Sequence, residues 1–347
     1  MTAESRVELA STGHQLLFTH AVLWGAAAIA RDAGEGVRLG WTSGLSPAPV
    51  LAGVQPRELA EATHNRALRS QTDSHWMQAD LPHEPGRALF SPRVKALPPG
   101  AWQAWQQRRL EHRDRLVSIE ERLDLRLMAA LGEPSSWHEY KGQARQDDAA
   151  SRLELQPRNS GSEFVGTRLR SLAAAVAVRT VDEVADGLTG ASSQDEVGKD
   201  SPDSRSAANL RPPGATDNAL AWVAMWGLAS TAVAQDVGRQ SRTSGHLPWS
   251  RGAGLGDEVR GGHVVAPMWR GWWSLAKLQA VLGSAALSEV AGAARTSPAP
   301  ASRAKGWLVE QGVVGLVLMP VHTFGSTQLE ERRVMPGSDV RLGEASS

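Results

Sequence analysis

Apolar side chains recur every three to four positions in several stretches of this chain. Residues 14–31 show this spacing and end in a glycine-rich stop, and residues 56–69 show it again. In a third stretch, residues 162–180, the spacing places valines and leucines on one face. The period is that of an α-helix, so the pattern predicts three helices.

The longest helical pattern runs from Pro99 to Leu131 and predicts a single helix that ends at Gly132. Its predicted buried stripe consists of Trp102, Trp105, Leu116, Ile119, Leu123 and Leu127. Two further helices are predicted, one over 272–287 and one that begins after Asp217, whose carboxylate suits the first turn of a helix.

Four shorter stretches have the composition or the alternation of β-strands. They cover residues 37–42, 151–156, 262–269 and 312–324. The last of them is apolar on both faces, which is typical of a strand in the middle of a sheet. Together the patterns predict a helix-rich α+β mixed fold with a small central sheet.

One polar segment separates the two halves of the chain. Residues 188–215 contain too few apolar side chains to form a core, so we expect an exposed polar loop there. Residues 292–306 are a second predicted linker. A length of 347 residues suits two coupled domains. We therefore predict an N-terminal α+β domain with a basic patch over 1–187 and a C-terminal α+β domain over 216–347.

Composition narrows the classes of function. Apolar residues make up 41% of the chain and charged residues 21%, and no window is apolar enough to span a bilayer. The N-terminal residues lack the positive charge and apolar run of a secretory signal, so we expect a cytoplasmic protein without membrane contact. The chain has no cysteine, which excludes disulfides, thiolate metal sites and a cysteine nucleophile.

Acidic and basic residues number 37 each, yet their charges are unevenly distributed. Residues 87–126 carry a net charge of +4 and residues 152–180 a net charge of +3, whereas residues 182–203 carry −6. Such a chain would meet a polyanion with a local patch and not with its whole surface.

The sequence LQPRNSGSEFVGTRLR, residues 155–170, concentrates basic side chains around a polar turn. Arg158 and Asn159 lie in the turn, and Arg168 and Arg170 lie in the helix predicted after it. Arginine suits phosphate or guanine and asparagine suits the edge of a base, so we predict a nucleic-acid contact here.

The helix arginines have an alternative interpretation. Arg168 and Arg179 lie three turns apart, which places them on one face opposite the apolar stripe. That face could simply be solvated, while Arg158 pairs with Glu163.

Two other polar loops offer the same residue types. Arg205, Asn209 and Arg211 lie in the predicted polar loop, and Arg93 and Lys95 lie in a proline-rich loop before the long helix. Loops positioned by a rigid scaffold often carry binding residues. We include all five residues in the predicted nucleic-acid surface.

No catalytic or metal-binding motif stands out. The HRD sequence at 112–114 imitates a kinase catalytic loop, but it lies inside a predicted helix and the other kinase motifs are missing. The glycine cluster at 252–256 lacks the flanking strand and helix of a dinucleotide site. No histidine pair has metal-ligand spacing, and no serine has the context of a nucleophile. We therefore predict no catalytic residue, no metal and no cofactor.

Five blocks of the chain form a combination that can be compared with known families: HQLLFTHAVLWGAAAI with VRLGWT, LFSPRVKALPPGAWQAWQQRR, LQPRNSGSEFVGTRLRSLA, DSRSAANLRPPGATDNALAWVAMWGLA and LMPVHTFGSTQLEERR. In these blocks the chain resembles the large-subunit family of type I-G (formerly I-U) CRISPR surveillance complexes. In some gene neighbourhoods this family has been described as an extension of the Cas3 helicase-nuclease. Large subunits often end in a helical bundle, and the strand predicted over 312–324 departs from that pattern.

The resemblance implies a non-catalytic subunit of an RNA-guided complex that surveys DNA. Large subunits of this kind recognise a short motif adjacent to the target, help to open the duplex and present DNA to a recruited nuclease, while guide pairing supplies most sequence specificity. The implied partners are the other complex subunits with their guide RNA, target double-stranded DNA and the Cas3-type helicase-nuclease.

Two other interpretations stay open. A structural subunit that touches only proteins would pair its arginines with acids and expose a group of tryptophans. Those tryptophans would be Trp249, Trp269, Trp272 and Trp273. A small-molecule enzyme would need a pocket with convergent titratable groups, such as His83 near Asp148 or His322.

Overall fold

A computed structural model describes most of the chain. The described residues are 5–81, 84–91, 99–132, 139–140, 143–144, 151, 153, 155, 164–234, 242–247, 262–296, 302–324 and 331–343. Helices dominate these ranges and the strands form small sheets, which confirms the predicted helix-rich α+β fold class.

The described ranges contain ten α-helices. They are α1 (Leu17–Asp32), α2 (Pro56–Ser70), α3 (Pro99–Ser118), α4 (Arg122–Leu131), α5 (Arg170–Ala177), α6 (Val181–Thr189), α7 (Asn218–Gly227), α8 (Leu275–Leu282), α9 (Ala285–Thr296) and α10 (Ser302–Glu310). A π-helical turn, Phe164–Leu169, leads directly into α5. The helices predicted over 14–31 and 56–69 and after Asp217 are confirmed, and Asp217 caps α7 by accepting from the backbone N–H groups of its first turn.

Every strand pairing in these ranges is antiparallel. The strands are β1 (Arg6–Glu8), β2 (Arg38–Trp41), β3 (Pro49–Ala52), β4 (Asp80–Leu81), β5 (Glu84–Ala88), β6 (Glu139–Tyr140), β7 (Gln143–Ala144), β8 (Val233–Ala234), β9 (Arg242–Thr243), β10 (His246–Leu247), β11 (His263–Trp269), β12 (Val313–Phe324), β13 (Glu331–Val334) and β14 (Ser338–Arg341). One sheet has the order β1-β3-β2, and the larger sheet has the order β10-β11-β12-β13 with β14 also paired to β12.

The long strand β12 lies in the middle of the larger sheet. β11 runs along one side of it, with Val264 opposite Met319, and β14 runs along the other side, with Val340 opposite Leu316. β13 pairs with the C-terminal end of β12. The prediction of a central strand is confirmed, because β12 is paired on both sides and most of its apolar residues are buried.

The core forms where α1 packs against α7. Residues 17–30 of α1 are all buried. At the closest approach, a Cβ on Gly25 would lie 1.8 Å from the carbonyl oxygen of Val223, and a Cβ on Gly227 would lie 2.2 Å from that of Ala21. The two helix backbones touch only because both positions are glycine.

The predicted single helix over 99–131 is wrong, because the chain turns between α3 and α4. Glu120 has a left-handed φ of 57°, and the Glu121 N–H donates to the Leu116 carbonyl oxygen at 3.0 Å. The turn changes which face is buried, so Ile119 is 57% exposed. The other residues of the predicted stripe are buried: Trp102, Trp105, Leu116, Leu123 and Leu127.

The prediction of an exposed polar loop over 188–215 is also wrong in its middle. The segment after α6 has no regular element until α7, yet several of its side chains are buried. These are Asp195, Ser204, Ser206, Ala207, Ala208, Asn209 and Leu210. One connected cluster of buried apolar side chains runs from Val7 to Leu342, so the predicted domain boundary lies within a shared core.

Two other local predictions need correction. The helix predicted over 272–287 is divided at Gly283 into α8 and α9. The linker predicted over 292–306 contains the end of α9 and the start of α10. The strand predicted over 151–156 lies partly outside the described residues, and its described residues are buried but not in a strand.

Candidate nucleic-acid contact surface

Three of the predicted site residues meet around the carboxylate of Glu331. Arg205 Nη1 donates to both of its oxygens, at 3.0 Å to Oε1 and 2.9 Å to Oε2. Asn209 Nδ2 donates to Oε1 at 2.9 Å. Arg168 lies near enough for the charges of Arg205 and Glu331 to act on its guanidinium. With Arg333 added, these five residues form what we call the Glu331 cluster.

Glu331 and Arg333 are the two members of the cluster that were not predicted from the sequence. Arg333 follows Glu331 by two positions on β13, so both side chains lie on the same face of the strand. Its Nη2 lies 3.7 Å from Glu331 Oε1, and its guanidinium lies 4.9 Å from the centre of the Phe324 ring. The only signal in the sequence is the EERR run that ends the last of the five blocks.

The cluster joins segments that are far apart in the chain. The Val334 N–H donates to the Asn209 carbonyl oxygen at 3.1 Å, which fixes β13 against the 204–211 loop. The Leu155 carbonyl oxygen accepts from Asn209 Nδ2 at 3.3 Å and from the Arg332 N–H at 3.4 Å. The π-helical turn before α5 supplies Arg168.

The loop adopts an unusual backbone conformation at the cluster. Ala208 and Asn209 have left-handed φ angles of 51° and 64°. Asparagine tolerates this region, whereas for alanine the left-handed conformation costs about 1–2 kcal/mol. Such strain persists only where the surroundings hold it in place, and it is typical of functional sites.

The buried carboxylate of Asp195 holds the loop in this shape. It accepts hydrogen bonds from Asn218 Nδ2 at 2.8 Å, from Ser206 Oγ at 3.0 Å and from the Thr216 N–H at 3.0 Å. Burial alone would raise the pKa of Asp195, but the hydrogen bonds from Ser204 and Asn218 outweigh burial and lower it. Hydrogen bonds to the Asp195 carboxylate, and not regular secondary structure, therefore hold this segment in place.

Arg168 is half-buried and has no ion-pair partner among the described residues. Burial and the nearby charge of Arg205 lower the pKa of Arg168, and the charges of Asp195 and Glu331 offset this only in part. Within the described residues no carboxylate lies at ion-pair distance from Arg168, and its Nε is buried without a partner. The cluster contains three arginines and one glutamate, so its five residues carry two positive charges in excess, and the nearby Asp195 offsets part of this excess.

Asn209 does not have the exposure that base recognition would need. It is 3% exposed, and its amide nitrogen is used by Leu155 and Glu331. Its role in this arrangement is to position Glu331 and the loop.

Arg170 lies apart from the cluster. Its Nε donates to the Met77 carbonyl oxygen, and its Nη2 donates to the Ala79 carbonyl oxygen at 3.1 Å and to Asp80 Oδ1 at 2.7 Å. The guanidinium therefore fastens α5 to β4 and the turn before it, and is not available to a ligand.

Arg179 contradicts the prediction of an exposed face shared with Arg168. Its side chain is 3% exposed and donates to Glu196 Oε1 at 2.7 Å and to Asp217 Oδ1 at 3.1 Å. It also donates to the Gln194 carbonyl oxygen at 2.6 Å. Arg179 thus joins the end of α5 to the cap of α7.

Arg211 is half-buried on the other side of the loop. Its guanidinium lies 5.9 Å from the centre of the Phe18 ring, and its Nη1 donates to Thr216 Oγ1 at 3.5 Å. Burial lowers the pKa of Arg211. The remaining predicted site residues lie outside the described residues: Arg93, Lys95, Arg158 and Asn159.

The residues that the two alternative functions would require are only partly exposed, and some lie outside the described residues. Trp269 and Trp273 stack at 4.6 Å and are buried, and Trp272 is half-buried with Arg6 5.1 Å from its ring. His322 is exposed on β12. Trp249, His83 and Asp148 lie outside the described residues. In the ranges given above, no three His, Asp or Glu side chains are arranged to hold a metal ion.

No protein-family model matches this chain, and no curated protein matches it significantly. Every helix in the described part of the chain is too short or too polar to cross a bilayer.

Proposed function

We propose that this chain is a non-catalytic subunit of an RNA-guided CRISPR type I surveillance complex and that the Glu331 cluster contacts the backbone of target DNA. The observation that supports the contact is the half-buried Arg168, which has no ion-pair partner among the described residues and lies beside Arg205 in a cluster with excess positive charge. The type of complex, its cytoplasmic location and the recruitment of a helicase-nuclease are proposed from the resemblance of the five sequence blocks.

A phosphate fits the electrostatics of the cluster. Arg205 is 50% exposed, and its planar guanidinium can bind two phosphate oxygens. A phosphate between Arg168 and Arg205 would compensate the two charges that repel each other and would replace the hydration that Arg168 loses by burial. Binding of an anion would therefore relieve the repulsion between Arg168 and Arg205 that exists in the free protein.

This arrangement positions DNA without reading its sequence. Contacts to phosphates fix register and orientation, and in guide-directed complexes base pairing with the RNA supplies most specificity. Since Asn209 is buried, the Glu331 cluster is proposed to hold the backbone, and recognition of the adjacent motif is assigned to other residues.

The double substitution Arg168→Ala and Arg205→Ala tests the proposed contact. We expect weaker binding of duplex DNA and a salt dependence that is less steep by about 0.9 for each lost phosphate contact, or about 2 in total. Affinity should be measured by titration at several salt concentrations, with the full chain and with the complex purified from its host.

The matched control is Arg122→Ala, because Arg122 is 78% exposed and pairs only loosely with Glu120 in the described structure. This variant should keep the wild-type affinity and salt slope. If the double variant also keeps both, the Glu331 cluster does not contact DNA.

Gentle purification of the tagged protein should also recover a stoichiometric short RNA with other subunits, and an RNA-free monomer would contradict the proposed complex.

A subunit that contacts only proteins is the second candidate function. The ion pair between Arg205 and Glu331 favours it, since that pair already neutralises one of the arginines. In that case the double variant would weaken assembly with the other subunits, while DNA binding by the assembled complex would keep its salt dependence.

A further inference from the structure

A cavity of about 170 Å³ lies where the end of α2, the segment after it and the facing ends of α3 and α4 meet. Leu116 and Ile119 line its apolar part. Its rim is polar and includes one carboxylate: Arg69, Arg115, His112, Thr72, Ser74 and Glu121. A cavity needs a volume of about 10–15 Å³ to hold one water molecule, so this cavity has room for one small ligand. It contains none of the residues of the Glu331 cluster.

An ion-pair network closes the floor of the cavity. Arg66 Nη1 donates to Asp124 Oδ2 at 2.7 Å, Trp76 Nε1 donates to Asp124 Oδ1 at 2.6 Å, and Arg66 also pairs with Asp32. Burial alone would raise the pKa of Asp124, but the hydrogen bond from His75 and the charge of Arg66 outweigh burial and lower it. The charges at the floor therefore compensate one another, and the Asp124 carboxylate is deprotonated near neutral pH.

His75 belongs to the wall of the cavity and not to its binding groups. Its Nε2 lies 3.2 Å from Asp124 Oδ1, and its Nδ1 accepts from the Met77 N–H at 3.3 Å. These contacts assign the proton to Nε2 and occupy both ring nitrogens.

Arg115 and His112 are the groups left for a ligand. They lie one turn apart on α3, and within the described residues neither side chain has a hydrogen-bond or ion-pair partner. The His112 ring packs against Phe90 at 5.8 Å, which fixes its plane. Burial and the charges of Arg108 and Arg115 lower the pKa of His112, so the neutral ring can donate one hydrogen bond.

Arg69 adds a second positive charge at the rim. Its side chain is 51% exposed, with Nη1 3.4 Å from Glu121 Oε1 and Nη2 3.6 Å from Asp32 Oδ2. Both contacts are longer than the roughly 2.7–2.9 Å of a strong charged hydrogen bond. The guanidinium can therefore turn toward an anion at little cost.

We propose that this cavity binds the oxyanion group of a small molecule, a phosphate or a carboxylate, through Arg115, Arg69 and His112. The rest of the ligand packs against Leu116 and against Ile119, which the turn after α3 leaves exposed at the edge of the cavity. The site is independent of the proposed DNA contact.

Thermal unfolding of the full chain tests the proposal when inorganic phosphate or acetate replaces chloride at constant ionic strength. We expect a saturable rise in melting temperature, and we expect Arg115→Ala to weaken the binding by about tenfold or more. A stronger response to phosphate assigns a phosphoryl ligand, and a stronger response to acetate assigns a carboxylate. No saturable rise with either anion overturns the proposal.

Three variants separate the cavity from general charge effects. Arg126→Ala removes an exposed arginine of α4 that does not line the cavity, so it should keep the wild-type response. Arg168→Ala should lose only the part of the phosphate response that comes from the Glu331 cluster, and it should keep the part that Arg115→Ala removes. His112→Phe keeps the ring packing on Phe90 and should weaken anion binding, with the anion-free melting temperature near that of the wild type. An equal loss of response in Arg126→Ala and Arg115→Ala would overturn the proposal.

Discussion

At the scale of the residue, arginines that look equivalent in the sequence have different roles, because their neighbours in the folded protein differ. Arg66 and Arg179 are buried against pairs of carboxylates, and Arg170 is used by backbone carbonyl oxygens. Removing one partner from a buried ion pair costs about 3–5 kcal/mol, so these arginines support the fold. Arg168 and Arg115 have no carboxylate partner among the described residues, which is why both proposals depend on them.

His20 is a buried titratable side chain with no role in either proposed site. Its Nε2 donates to the His14 carbonyl oxygen at 2.7 Å, and its ring packs against Trp41 at 4.9 Å. Burial lowers the pKa of His20 from 6.5 to about 4, with smaller effects from His14 and Asp339. Between about pH 4 and pH 6.5 the His20 ring is therefore neutral in the folded protein and protonated in the unfolded chain.

We expect the free energy of unfolding to decrease as the pH falls from about 6.5 to about 4. In this window the unfolded chain binds a proton at His20 that the folded chain excludes, which amounts to about 3 kcal/mol in the limit. Urea denaturation at about pH 7 and about pH 4.5 measures the loss. His20→Gln should lose less stability between the two pH values than the wild type.

His14→Gln is the control for this experiment, because it keeps the backbone oxygen that His20 uses and replaces the imidazole that hydrogen-bonds to Asp339. It should retain the part of the pH-dependent loss that belongs to His20. The same pH-dependent loss in the wild type and in His20→Gln would contradict the assignment.

At the scale of the element, close backbone contact decides how α1 and α7 pack. Gly25→Ala would place a Cβ 1.8 Å from the Val223 carbonyl oxygen, far closer than van der Waals contact allows. Since backbone cannot move aside as a side chain does, we expect a loss of unfolding free energy of at least about 1–3 kcal/mol. The urea midpoint of the variant measures it.

Gly306→Ala in α10 makes the same chemical change where no atom lies within 4 Å of the new Cβ. There we expect a gain of about 0.5–1 kcal/mol from helix propensity. Similar effects of the two substitutions would mean that α1 and α7 pack less closely than described.

Element boundaries were less predictable than element types. The period of apolar residues is a local property, so it identified α1, α2 and the strand β12. It missed the turn between α3 and α4, because Glu120 carries no glycine-like signal for a left-handed φ. It also missed α6, whose cap Thr180 and capping partner Glu183 are visible in the sequence but precede only a short apolar pattern.

At the scale of the whole molecule, the two predicted domains share their core. α1 comes from the first and packs on α7 from the second, and the bridge between Leu39 and Trp273 joins the smaller sheet to the segment after β11. Residues 188–215 lie between them and contribute buried side chains to the same cluster.

We therefore expect that residues 1–187 and residues 188–347 do not fold when produced separately. Each fragment would expose the apolar surface that α1 and α7 bury against each other. Circular dichroism during thermal unfolding measures this, and neither fragment should give a cooperative transition. Co-expression should restore one. A cooperative transition in either fragment alone would instead support two independent domains.

The sequence by itself determined the α+β class, the main helices and the central strand, because these follow from the local spacing of apolar side chains. It also identified the residue types that meet at the Glu331 cluster. Only the tertiary structure decided that Arg168, Arg205 and Asn209 meet there while Arg170 does not. The physical reason is that a charge is compensated by its neighbours in space, and Glu331 lies 126 positions from Arg205 along the chain.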